Sequence, residues 1–329
     1  MKKALLIAGG GTLGTHTANE LLRLGHAVDV ICPEEKISHH PNLRFIRSMA
    51  TEELLTDLFA KESYDGIVNF IHYKKPEEYR RIHPLLIQNT KHLIFLSSYR
   101  VYADEQQPIT ENAPRLCDIP TEDGFYEQET YALPKIVCED FLNNECRGEP
   151  WTIVRPVISF SHLRLDLYVH SGHVILDHAQ KGEPLLIPAS SRYLTAGIDW
   201  AGNSGKLIAN LLFKPHTFGE TYTFSSAQNP TWNDVAALYT ELTGVRIEWC
   251  SEEEFLDQYP KFRGDHKWGL IYDRMFNRLI DNRKILAATG LSDADFTPIR
   301  EGLIYELKHF EETKDCRPFL RSAVFFVKN

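Results

Sequence analysis

Ala4-Leu5-Leu6-Ile7-Ala8-Gly9-Gly10-Gly11-Thr12-Leu13-Gly14 decides how this chain is read. The apolar run over residues 3–8 has the shape of a short strand buried on both faces. The turn after it satisfies Gly-x-Gly-x-x-Gly through Gly9, Gly11 and Gly14. The residues that follow, through Thr17 to Leu24, predict a helix with Leu13, Leu21, Leu22 and Leu24 as apolar contacts. Gly25 suits the left-handed position that ends a helix, and His26 to Cys32 reads as a second strand. Strand, glycine turn, helix, glycine and strand within about 30 residues is the dinucleotide-binding unit. One glycine permits the tight turn, one lets backbone approach a pyrophosphate, and one lets the helix lie close to the strand. The pyrophosphate would meet the free N–H groups and positive end of the helix. On this reading Gly9, Gly11, Thr12, Leu13 and Gly14 bind a cofactor.

The alternation continues beyond it. Leu43 to Ile46, Asp65 to Ile71, Lys91 to Ser97 and Trp151 to Arg155 read as further strands. Thr51 to Lys61, Pro76 to Gln88 and Glu129 to Asn143 read as helices. Regular βα alternation predicts an α/β fold, a doubly wound parallel sheet covered by helices on both faces. Ligands on such sheets bind at the carboxyl ends of the strands. The glycine turn, Asn69 and Ser97-Ser98 all follow strand ends, so they should converge on one rim, with Asn69 beside the cofactor.

Residues 1–158 are expected to form the cofactor domain and 159–329 mainly a smaller C-terminal substrate lobe, with some later segments returning to the sheet. In that lobe Leu165 to Gln180, Gly202 to Leu212 and Trp232 to Leu242 read as helices. Leu185 to Ile187, Leu194 to Ile198 and Thr221 to Phe224 read as strands. A polar segment from Tyr102 to about Gln128 carries three prolines and many acids, and its place predicts a flap over the substrate.

The tip of the second strand bears on cofactor choice. An acid there holds a ribose diol, whereas a basic residue favours the 2′-phosphate of NADP. The sequence is Cys32-Pro33-Glu34-Glu35-Lys36. Glu34 or Glu35 can reach the diol and Lys36 can meet a phosphate, so both NAD and NADP stay open, with NAD favoured.

Tyr131 and Lys135 are four residues apart, a spacing that places them on one helix face. An ammonium beside a phenol favours the phenolate and lowers its pKa. A tyrosine tuned in that way can exchange a proton with a sugar or alcohol oxygen. Ser98 can donate a hydrogen bond to the same oxygen as charge develops there.

The bulk properties set the surroundings. The 329 residues exceed what one compact core usually needs. A net charge of −9 argues against a nucleic-acid surface. The six cysteines are scattered without a Cys-x-x-Cys, which reads as reduced thiols in a cytoplasmic protein. No His-x-x-x-His pair stands beside a carboxylate, so no metal is expected. No run of about 18 apolar residues exists, so no membrane span is expected.

Taken together the motifs resemble the extended branch of the short-chain dehydrogenase/reductase superfamily, the NAD-dependent sugar-nucleotide epimerase/dehydratase group. The likeness rests on Gly9–Gly14, Ser97-Ser98-x-x-Val101-Tyr102, Ile109-Thr110-Glu111, Tyr131-x-x-x-Lys135 and Val154-Arg155-Pro156. Weaker echoes are Gly219-Glu220-Thr221-Tyr222, Thr231-Trp232, Asp281-Asn282-x-Lys284 and Thr297 to Gly302. The resemblance implies that Ser98 and Tyr131 are catalytic and that Lys135 holds the nicotinamide ribose and tunes Tyr131. It implies a nucleotide-sugar substrate and a homodimer. Three departures stand out. Ala8 replaces the first glycine of the usual family turn, the acid often found after the third strand is absent in Arg47-Ser48-Met49-Ala50, and Tyr99-Arg100 stands where 4,6-dehydratases of the group carry Asp-Glu. The third departure disfavours elimination of water and leaves a ketoreductase or an epimerase. Arg100, Arg192 and Arg274 are the candidate substrate-binding residues, since arginine suits a diphosphate. Reduction of a smaller carbonyl compound is the alternative. A non-catalytic sensing or RNA-binding relative would usually lose Tyr131 or Lys135.

Overall fold

The computed structural model describes residues 1–314 apart from 226 and 265, so Cys316 lies outside the described residues. Seven strands form the central sheet: β1 (Lys3–Ile7), β2 (Ala27–Cys32), β3 (Leu43–Arg47), β4 (Gly66–Asn69), β5 (Leu93–Leu96), β6 (Trp151–Pro156) and β7 (Glu220–Phe224). Their order is β7-β6-β5-β4-β1-β2-β3, and every neighbouring pair is parallel. The doubly wound α/β fold expected from the alternation is therefore what the chain adopts. The order reverses between β1 and β4, the switch point at which such sheets open a crevice.

Successive residues of a strand face opposite sides. Leu6, Val28, Val30 and Val68 meet the helices α1 (Thr12–Arg23) and Ala201–Leu211 on one face. Leu5, Ile7, Ile67, Phe95 and Ile153 meet the helices Pro76–Gln88 and Ala132–Glu145 on the other. Ala4 to Ile7 are each at most 1% exposed, which is why this stretch reads as an unbroken apolar run. Each such fully buried leucine or isoleucine contributes roughly 1.5–3 kcal/mol. A third core gathers residues 99–136 with the C-terminal half, including Trp232 and Trp268. Among the described residues no helix is long and apolar enough to cross a membrane.

Several motifs meet in one buried polar network. The Arg155 guanidinium grips the Glu139 carboxylate with two hydrogen bonds and donates to the Tyr102 hydroxyl and the Glu111 carbonyl. Glu111 in turn accepts the Thr223 N–H of β7. These residues tie β6, β7 and the segment after β5 together.

Three local expectations change. Residues 165–180 are not one helix: Asp166–Leu167 and His170–Ser171 form a hairpin, and the helix is Gly172–Lys181. Tyr168 turns the chain with φ +59°, and buried Leu165 and Leu167 follow the two-residue period of a strand. The strand expected at Leu194 to Ile198 lies at Ile198–Trp200, after Gly197 with φ +56°. The segment after Tyr102 is anchored instead of free. Tyr102 bridges Arg115, Ile109 bridges Ile280, and Ile109, Leu116 and Phe125 are buried.

Ala8 explains itself in this frame. It closes β1 at φ +55°, a left-handed conformation. That conformation costs an L-residue about 1–2 kcal/mol. Glycine removes the strain but loses roughly 0.4–1 kcal/mol through the freer unfolded chain. Ala8→Gly should therefore raise stability by up to about 1 kcal/mol, read as a higher urea midpoint at an unchanged slope; a lower midpoint would show that Ala8 is unstrained.

Candidate active site

The glycine turn carries β1 into α1. Gly11 sits at the N-cap with extended backbone and no side chain to cap the helix. A Cβ on Gly11 would meet nothing within 4 Å, so the approach to the first helical N–H groups is open. Gly14 does the packing: its Cβ would fall 2.3 Å from the Gly9 carbonyl oxygen. Gly11, Thr12, Leu13 and Gly14 line a cleft of about 360 Å³. Gly9 is buried beneath it, where its own Cβ would clash with Leu6 at 2.7 Å. Its contribution is close helix–strand contact, not a face toward the cleft.

At the tip of β2, Glu34 reaches the turn, with Oε2 2.8 Å from where a Gly10 Cβ would stand. Lys36 donates to the Gly10 carbonyl. Glu35 is turned away, 2.9 Å from Arg47. Asn69 is not brought to the cleft. It is wholly buried, donates to the Tyr73 hydroxyl at 2.9 Å and accepts the Ile71 N–H at 3.1 Å. These bonds hold the turn after β4, and it is Phe70 that lines the cleft.

Ser98 and Tyr131 line the same cleft as the glycine turn. Ser98 follows β5, and its hydroxyl accepts the Arg100 N–H at 3.2 Å. Lys135 is 3% exposed and donates to the carbonyls of Leu96 at 2.8 Å and Ser97 at 3.3 Å. Its ammonium lies 5.3 Å from the centre of the Tyr131 ring. The helix begins at Ala132, so Tyr131 is its N-cap and not a residue of its first turn. Glu129 accounts for this. One of its carboxylate oxygens accepts the N–H groups of Tyr131, Ala132 and Leu133 at 2.9, 2.6 and 3.0 Å. A carboxylate there also complements the positive helix end.

Three groups crowd the phenol. The Arg100 guanidinium lies 4.6 Å from the ring centre, Lys135 lies beneath, and the His72 imidazole is 4.9 Å away. Burial pushes the Tyr131 phenol up, but Lys135, Arg100 and the Ser98 hydroxyl outweigh it and hold it below its ordinary value. Burial also depresses Lys135, against the pull of Tyr131. His72 is lowered, first by burial and then by Lys135, so a neutral imidazole lies against the ring, tilted 38° to it. Its Nε2 is 3.0 Å from the Thr130 carbonyl.

Arg274 also lines the cleft, paired with Asp273 and donating to the Tyr168 carbonyl at 2.7 Å. Asp273 is the centre of this end. Arg100 and Arg278 approach it at 3.4 and 3.9 Å, and Tyr99 donates to it. Burial raises the Asp273 carboxyl, but the three guanidinium groups win and hold it below the usual carboxylate range. Arg192 is elsewhere: it donates to Asn233 at 2.9 Å and stacks against Trp249. Asp273, Arg164, Glu129 and His72 are residues that motif reading missed. Only Asp273, beside Arg274, lay next to a residue the sequence singled out.

No family model matches the chain. The UDP-glucose 4-epimerase of Mus musculus is 27% identical over 190 residues, 47% of this chain and 52% of that protein. The match thus spans about half the length of that curated relative. Among solved structures, an epimerase of Methanothermobacter thermautotrophicus matches with TM-score 0.70 and 16% identity, over 95% of this chain and 93% of its own. The UDP-glucose 4-epimerase of Thermotoga maritima, solved with UDP-glucose, matches with TM-score 0.67 and 17% identity, over 94% and 99%. The UDP-glucuronic acid 4-epimerase of Bacillus cereus, solved with UDP-glucuronic acid and NAD, matches with TM-score 0.66 and 14% identity, over 94% and 99%. The likeness expected from the motifs is borne out, at these identities as a likeness of fold.

Arg100 favours the phenolate, so removing its charge must raise the Tyr131 pKa. An ultraviolet pH titration corrected by Tyr131→Phe isolates that ionisation. In Arg100→Met the step should move to higher pH; an unmoved step would mean that Arg100 does not tune the phenol.

Proposed function

We propose that this chain is an NAD-dependent enzyme that oxidises and re-reduces one carbon of a nucleotide-activated sugar, in the manner of an epimerase. The observation that carries the reading is Tyr131, held between Lys135 and Arg100 in one cleft with Ser98 and the open end of α1. The residues fit a dinucleotide: bare helix N–H groups approach the cleft past a glycine, and an acid stands at the tip of β2. When bound, the nicotinamide supplies reversible hydride acceptance. Tyr131 as phenolate takes the proton of a substrate hydroxyl and later returns it. Ser98 donates a hydrogen bond to that oxygen as charge develops. Lys135, buried beneath the ring, keeps the phenol ionisable, and the family resemblance adds the ribose hydroxyls as its ligand.

A second basic hollow adjoins the cleft. Arg100, Arg164, Lys261, His266 and Arg274 line it, with Asp166 and Asp273. Arginines there suit the diphosphate of a nucleotide sugar. The curated and structural relatives act on or bind UDP-sugars, which supports this substrate class. Tyr99 and Arg100 bring no acid of their own to the reacting oxygen, which favours epimerisation over dehydration. A homodimer through the helices Pro76–Gln88 and Ala132–Glu145 belongs to the same proposal.

Tyr131→Phe should lower turnover on a panel of UDP-sugars by about 10²–10⁴-fold while leaving NAD affinity near that of the parent. Full turnover in this variant would remove the acid/base assignment. Glu34 favours the diol of NAD, whereas Lys36 is engaged with Gly10. Glu34→Gln should narrow the preference for NAD over NADP by about tenfold, the weight of a charged hydrogen bond of roughly 1.5–3 kcal/mol. Equal affinities in the parent would show that Glu34 does not face the ribose.

A further inference from the structure

At the far end of the helix that starts beside Tyr131, three donor side chains meet. His83 projects from the helix Pro76–Gln88, and Cys146 and Glu149 follow the helix Ala132–Glu145. One ligand atom from each, the imidazole, the thiol and a carboxylate oxygen, lies within 4.8 Å of the others. We propose that His83, Cys146 and Glu149 form a binding site for a single zinc-like divalent ion.

The donor set suits it. Thiolate, imidazole and carboxylate are the protein ligands of tetrahedral zinc, and three of them leave one position for water. A thiolate and a carboxylate also neutralise a divalent charge, which a half-buried site requires. The imidazole and thiol sides are buried, whereas the Glu149 side chain is 38% exposed, so an ion has a route in from solvent. A tetrahedral zinc keeps its donors roughly 3.3–3.8 Å apart. Glu149 Oε2, now 2.7 Å from His83 Nε2, would retreat on its exposed side, and the widest donor pair, within 4.8 Å, would close by about 1 Å.

The surroundings are built. His83 Nδ1 is 3.2 Å from the buried Tyr79 hydroxyl, which fixes the ring and leaves Nε2 for a ligand. The Cys146–Glu149 turn is closed by the Glu149 N–H donating to the Cys146 carbonyl at 3.3 Å, with Gly148 at φ +85°. Trp151 donates to the same carbonyl at 2.7 Å. Cys146 is the C-cap of its helix, where the helix dipole favours a cation. The His83–Glu149 contact alone is an ordinary hydrogen-bonded pair; the thiol within reach of both makes a ligand set. Helical rise over the intervening residues places the site about 20 Å from Tyr131, so its role is to pin two helices together and not to take part in the reaction.

Cobalt(II) reports such a site directly, because a bound thiolate gives an intense near-ultraviolet charge-transfer band. Metal-stripped protein titrated with cobalt(II) should gain that band at one equivalent and lose it to zinc. Cys146→Ser should abolish the band, and Glu149→Gln should weaken cobalt affinity by about tenfold or more. Zinc should raise the melting temperature of the parent but not of Cys146→Ser. A band that never appears, or that survives Cys146→Ser, overturns the site. Both outcomes are independent of whether Tyr131 is catalytic.

Discussion

A buried ammonium is the constraint on which the rest of this structure depends. Lys135 has almost no contact with water and is held by two main-chain carbonyls and the neighbouring phenol. Removing a charge from water costs several kcal/mol unless partners replace the hydration. The carbonyls of Leu96 and Ser97 do so from the end of β5, which fixes the helix against that strand. The remaining imbalance falls on Tyr131, whose proton is easier to remove because its departure leaves an anion beside the cation. A structural need and a chemical capability thus share one interaction, and the two groups titrate as a pair.

The second cation extends this logic. Arg100 is shared among Tyr131, Glu129 and Asp273, so its position is set by two carboxylates and its field reaches the ring. Glu129 also holds the N–H groups that begin the Lys135 helix. The loop after β5, the helix start and the Leu270–Arg274 turn are therefore linked through charge. Asp273 collects three guanidinium groups in a volume too small for them to stand unpaired. The hollow beside the cleft has a net basic lining, while the whole chain carries −9.

Many motif residues turn out to be framework. Arg155, Tyr102, Glu111 and Glu139 form a largely buried network that serves to join β6, β7 and the segment after β5. Asn282 exchanges hydrogen bonds in both directions with Ser225, and Lys284 pairs with Glu220. Such residues identify a fold because their geometry is demanding. In the proposed reaction the work falls instead to Ser98, Tyr131 and Lys135.

The sheet and its helices were legible because β1, β2, β4, β5 and β6 are buried on both faces, with only the edge strand β3 part-exposed, and alternate with helices at regular spacing. The same local rules exposed the glycine turn and the Tyr131/Lys135 pair. They failed at residues 165–180, where apolar spacing suited both a strand and a helix, and at Asn69, whose side chain turned inward. What residue order determined alone was the parallel sheet with its glycine turn and the pairing of one tyrosine with one lysine. Tertiary structure decided which groups surround that tyrosine: Arg100, Glu129 and His72 come from three separate segments. The same is true of His83, Cys146 and Glu149. Electrostatic and coordination forces depend on distance in space, and spacing along the chain reveals that distance only within a single helix or strand.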